Sequence, residues 1–144
     1  LHYVNETQAK RLAGDGEGAT ALVECHVYHA DTKENARILA KSVICSSLTK
    51  AAVYGHDANW GRVAAALGRS GARFNQEDVD IDILGLPVCR AGLVVDFDEE
   101  EALRRFEEPE VAIEVDLHAG EESATMWTCD FSHEYVTING DYRS

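Results

Sequence analysis

The chain has 144 residues, 45% hydrophobic and 27% charged, and a formal net charge of −13. A chain of this size can bury a core without staples, and its composition is that of a globular domain. So acidic a surface repels phosphate backbones and anionic lipid, which argues against nucleic acid and membrane as partners, and no apolar run reaches membrane-spanning length.

In chain order, the first residue is Leu1 rather than Met, with Val4 and Leu12 spaced as on one helix face, the pattern expected of a processed chain or fragment. Asp15-Gly16-Glu17-Gly18-Ala19-Thr20 then sets one carboxylate between two glycines. Glycines on both sides let another group approach closely, so Glu17 is displayed; an acidic turn opening a strand has the same pattern. Ala21 to Tyr28 alternates like a half-buried strand. Asp31 or Thr32 can cap a helix whose Ala36, Leu39, Ala40 and Val43 form one stripe, ending near Ser46-Ser47. Thr49 to Tyr54 leans toward strand, closed by Gly55. In His56-Asp57-Ala58-Asn59-Trp60-Gly61-Arg62, Asp57 suits an N-cap for a helix carrying Trp60, Val63, Ala64 and Leu67, with Gly68 and Gly71 at its exit. The segment lacks the spacing of a phosphate loop, and packing by Trp60 competes with ligand contact as its role.

Val79 to Leu84 reads as a strand, Pro87 and Gly92 as punctuation, and Leu93 to Phe97 as a second short run. Asp98 with Glu101 makes an Asp version of the capping box, before a helix with Ala102, Leu103 and Phe106 on its inner face, and Pro109 stops it. Glu110 to Leu117 alternates, with Val111, Ile113, Val115 and Leu117 on one side and Glu110, Glu114 and Asp116 on a wet face. Ser123 to Ile138 is strand-like but too long for one strand, and its inward parity flips near Ser132-His133, as at a bulge or turn. The polar tail from Asn139 to Ser144 would fray as an ordinary terminus. Helical and strand segments in similar number, without strict alternation, predict an α+β layered fold with a mixed or antiparallel sheet in a single domain.

Cys25, Cys45, Cys89 and Cys129 lack paired spacing, which favours reduced thiols in a cytosolic or mitochondrial matrix compartment. Cys25 with His29, and Cys129 with His133, are spaced so that an extended strand separates them by roughly 13 Å, too far to share one tetrahedral ion. The six histidines fall in no motif, and neither a metal set nor a cofactor is expected.

Four segments together resemble the C-terminal part of the ornithine acetyltransferase family, the bifunctional glutamate N-acetyltransferases of arginine biosynthesis. They are Asp15 to Thr20, Gly55 to Arg62, Ser123 to Asp130 and Tyr135 to Ser144, in order and spacing, so the likeness spans the chain. The resemblance implies a precursor that cuts itself before a threonine to give an α chain and a β chain. The new N-terminal threonine is the nucleophile, and its own free amine can take the hydroxyl proton. It would carry acetyl from N-acetylornithine to glutamate through an acetyl-threonine, and acetyl-CoA serves as donor in some members.

Residues 1–144 would then be the C-terminal part of the β chain, with no catalytic residue of its own. The nucleophile and the α chain lie upstream, and the fold is an αββα-type sandwich completed by that α chain in an α2β2 heterotetramer. By match to the family's motifs, Glu17 is the substrate-binding glutamate, holding the α-ammonium of ornithine or glutamate. Asn139 and the terminal Ser144 match the family's substrate-contacting asparagine and its final Ser or Thr. Gly140 and Ser144 stand where many members have Ala and Thr, and residues 84–96 diverge most. A self-cleaving amidase or aminopeptidase of similar architecture, or a non-catalytic amino-acid-binding domain, are the alternatives.

Overall fold

The structure, a computed structural model, describes residues 21–130. These residues form strand β1 (Leu22–Ala30), helices α1 (Lys33–Ile44), α2 (Ser47–Tyr54) and α3 (Trp60–Gly68), strands β2 (Asp80–Ile83), β3 (Leu86–Arg90) and β4 (Leu93–Val94), helix α4 (Glu99–Arg105), and strands β5 (Glu110–Asp116) and β6 (Glu122–Cys129). The strands make one six-stranded sheet in the order β4-β3-β2-β5-β1-β6. Only β1 and β5 pair in parallel; the other neighbours are antiparallel, so the sheet is mixed.

Period-2 patterning decides which side of the sheet is covered. Val23, Cys25 and Val27 of β1, Ile81 and Ile83 of β2, and Val111, Ile113 and Val115 of β5 are buried and belong to one core cluster with Ala36, Leu39, Ala40 and Val43 of α1 and Val63, Ala66 and Leu67 of α3. The intervening Leu22, Glu24, His26 and Tyr28 stay partly exposed. One helical layer on one face of one sheet is the part of the layered sandwich that the described residues supply.

The helices start where side chains cap them. Thr32 Oγ1 accepts the Asn35 N–H at 3.0 Å for α1, and Asp98 accepts the Glu100 and Glu101 N–H groups for α4. The segment read as strand-leaning, Thr49 to Tyr54, is instead helical: the buried Ser46 caps α2, its Oγ accepting from the Thr49 N–H at 3.2 Å and the Thr49 hydroxyl at 3.0 Å. Asn59, not Asp57, caps α3 by accepting the Arg62 N–H at 3.1 Å, while Asp57 accepts from the Asn59 side chain. Leu103, expected on the inner face of α4, is 52% exposed.

The sheet's far edge differs most from the sequence reading. Leu84-Gly85 links β2 to β3 and Ala91-Gly92 links β3 to β4, each with two successive positive φ values (57° and 76°, then 50° and 75°). Both are two-residue turns that suit right-twisted hairpins, so Pro87 lies inside a strand rather than between strands. Its missing N–H is tolerated because β4 pairs only with Cys89 and Arg90. Gly92 is required on a second count: a Cβ there would sit 2.3 Å from the Gln76 carbonyl oxygen.

Candidate functional site

Glu17, Asn139 and Ser144 lie outside the described residues, as does the expected parity flip near Ser132-His133. What the structure does describe is the corner from which the segments bearing them depart. β1 and β6 are antiparallel neighbours with Leu22 opposite Cys129. Just beyond that pair the side chain of Asp130, fully buried, accepts the Ala21 N–H at 3.1 Å, and the Asp130 N–H donates to the Ala21 carbonyl at 3.2 Å. Leu22 also donates its N–H to the Pro109 carbonyl at 2.9 Å, so the entry into β5 reaches the same corner. A buried carboxylate making a hydrogen bond of this kind is costly to break, which holds Ala21 and Asp130 together.

The segment from His56 to Arg62 is built into the helical layer. Ala58 is buried, Trp60 packs partly buried against the core, and the His56 ring stacks on Phe106, the C-cap of α4, at 5.3 Å. Arg62 donates to the Leu48 carbonyl at 2.9 Å, tying α3 to α2. Its packing role is therefore visible, with Trp60 also lining a cavity of about 380 Å³ against Phe74, Val79, Ile81 and Cys89.

At the opposite end of β1 the structure gathers a cluster that no motif announced. His29 Nδ1 lies 3.0 Å from Asp116 Oδ1, His118 Nδ1 lies 3.5 Å from the same oxygen, and His118 Nε2 lies 2.7 Å from Asp80 Oδ2. Asp116, assigned to a wet face on alternation, is buried and accepts the His118 N–H at 2.9 Å. The hydrogen bond to Asp80 raises the His118 pKa above its ordinary value. Nearby Tyr28 titrates higher than usual, through burial and then the charges of Asp116, Glu114 and Asp82. His29, His26, Tyr28, Glu114, Glu121 and Ser123 border a cleft of about 520 Å³.

The described residues thus define a layered α+β domain with a one-sided core and a mixed sheet. The chain belongs to the ArgJ family, whose model matches residues 1–144. It is 48% identical over 148 residues to the arginine biosynthesis bifunctional protein ArgJ of Caldanaerobacter subterraneus, covering 100% of this chain and 37% of that protein. It is 54% identical over 136 residues to the protein of the same name from Symbiobacterium thermophilum, covering 94% and 34%. The crystal structure of the Bacillus halodurans arginine biosynthesis bifunctional protein superposes with a TM-score of 0.94 at 42% identity, over 99% of this chain and 67% of that one. The chain therefore spans about a third of the length of the curated relatives it matches.

Proposed function

We propose that this chain is the C-terminal part of the β chain of a bifunctional acetyltransferase that moves acetyl from N-acetylornithine to glutamate in arginine biosynthesis. What carries the reading is the match of the whole chain to relatives named arginine biosynthesis bifunctional proteins. The nucleophilic threonine, carried upstream, forms the acetyl-enzyme, and this chain contributes the grip on the amino acid: Glu17 on the α-ammonium, with Asn139 and Ser144 completing the hydrogen bonds of the zwitterion. The α chain of the same precursor is its partner in an α2β2 assembly, and the setting is the cytoplasm.

The corner geometry supports a shared role for these residues. Extended chain covers at most about 3.5 Å per residue, so Glu17 stays within roughly 14 Å of Ala21 and Asn139 within roughly 32 Å of Asp130. Ala21 and Asp130 are hydrogen-bonded to each other.

The test uses the full-length, self-processed enzyme. Production of acetylglutamate from N-acetylornithine and glutamate is expected, with little free acetate; acetate as the main product would make the protein an amidase instead. A hydrogen bond to a charged group contributes about 1.5–3 kcal/mol, so Glu17→Ala should raise KM for glutamate roughly ten- to a hundred-fold while the melting temperature holds.

A further inference from the structure

We propose that His29, Asp116 and His118 form a binding site for a divalent first-row transition metal, zinc in the first instance, with Asp80 as the carboxylate that orients His118. The cluster sits at the other end of β1 from the Ala21–Asp130 pair: from Leu22 to His29 the strand runs about 23 Å at 3.3 Å per residue.

The donor geometry is the first argument. The three groups each offer one ligand atom, all within 4.8 Å of one another. A tetrahedral ion with bonds of about 2.1 Å holds its donors about 3.4 Å apart. The Nδ1 atoms of His29 and His118 lie 3.0 and 3.5 Å from Asp116 Oδ1, so two of the three separations already bracket that value. The remaining adjustment falls on the imidazole of His29, whose side chain is 52% exposed, whereas His118 is held by Asp80 and Asp116 is 12% exposed and held by the His118 N–H. Two imidazoles and one carboxylate are the donor set that borderline ions such as zinc accept, with the remaining coordination left to water.

The second argument is the shell behind the donors. Metal-bound histidines characteristically give their other ring nitrogen to a carboxylate, which fixes the tautomer and turns the free lone pair toward the ion. His118 does this: Nε2 meets Asp80 at 2.7 Å, which leaves Nδ1 facing Asp116. Asp80 is itself held by the Ala91 N–H at 2.9 Å, and Asp80 and Asp116 are directly opposed on β2 and β5. The two histidines are presented by paired bends, since Ala119 and Gly120 donate their N–H groups to the His29 carbonyl at 2.8 and 3.0 Å. Only glycine fits at position 120, where a Cβ would lie 2.5 Å from the Ala30 carbonyl oxygen. The surplus negative charge of the chain favours a cation here.

The experiment uses tag-free, full-length protein stripped of metal and titrated with Zn²⁺ against a chromophoric chelator, with Co²⁺ as a spectroscopic probe. One Zn²⁺ per chain, a rise in melting temperature with added Zn²⁺, and visible Co²⁺ bands of a low-coordinate imidazole site are expected. Both histidines sit at positive φ (56° and 50°), so the variant is His29→Asn with His118→Asn, a residue that tolerates that backbone. It should abolish the site while the circular dichroism spectrum stays native. Asp80→Asn should keep one site and weaken it ten- to a hundred-fold. Absence of saturable Zn²⁺ binding, or undiminished binding in the double variant, would overturn the proposal. Neither readout depends on acetyl transfer.

Discussion

Two cysteines with the same chemistry show how strongly a single residue is governed by what surrounds it. Cys25 is fully buried on the core face of β1, and that burial, reinforced by the charge of Glu24, pushes its thiol pKa up to about 12. The thiolate is the reactive form, so at neutral pH Cys25 is inert. The raised value also means that the folded state keeps its proton where the unfolded chain loses it. The contribution of Cys25 to stability is therefore intact below pH 9.0 and declines as pH climbs from there toward about 12. Cys45, at the C-terminal cap of α1, is exposed. Iodoacetamide at neutral pH should modify Cys45 in the native protein and reach Cys25 and Cys89 only after denaturation, as peptide mass mapping would record. Rapid native labelling of Cys25 would contradict the burial described for β1.

At the level of the element, capping settled an outcome that propensity left open. Thr49, Val53 and Tyr54 are residues that favour strands, and the run they dominate read that way, yet Ser46 satisfies the Thr49 N–H and the Thr49 hydroxyl together in a buried setting, and a helix follows. Ser46→Ala removes the acceptor of both and should cost about 1–2 kcal/mol in urea unfolding, whereas Ser47→Ala, at an exposed neighbour, should change little. The elements that were legible carry an unbroken period: Val23-Cys25-Val27 for β1, Ala36-Leu39-Ala40-Val43 for α1, Val111-Ile113-Val115 for β5. The β2-β3-β4 hairpins were not, because their turns place Leu84 and Ala91 where Asn or Asp would have announced two positive φ values, and because Pro87 reads as a break unless the unpaired side of β3 is known. Asp116 was misassigned for a related reason. Alternation puts it on the open face, but the bend that follows brings His29 and His118 over it, and no one-dimensional spacing records a contact between the ends of two strands. Glu17, Asn139 and Ser144 are singled out only by the resemblance and lie outside the described residues, since a carboxylate between glycines and a polar tail have no chemistry peculiar to themselves.

Across the molecule, the parallel β1/β5 pair gives the described sheet two ends with different groups of residues. One end holds Ala21, Asp130 and Pro109 in a common network, next to the segments proposed above to hold the substrate; the other gathers the histidines and carboxylates. If the Ala21–Asp130 contact positions Glu17, its loss must act on substrate through Glu17 and not merely lower stability. Asp130→Ala strands the part-buried Ala21 N–H, an omission that costs about 1–3 kcal/mol of folding free energy, so a lower melting temperature alone would be uninformative. The discriminating measurement is a double-mutant cycle on KM for glutamate in the full-length enzyme at a temperature where all four proteins are folded. Asp130→Ala alone should raise KM, and in a Glu17→Ala background it should have almost no further effect, because the group it positions is already gone; independent groups would instead show additive effects. Additive losses would leave Asp130 as a structural residue only and detach the corner from the amino-acid site.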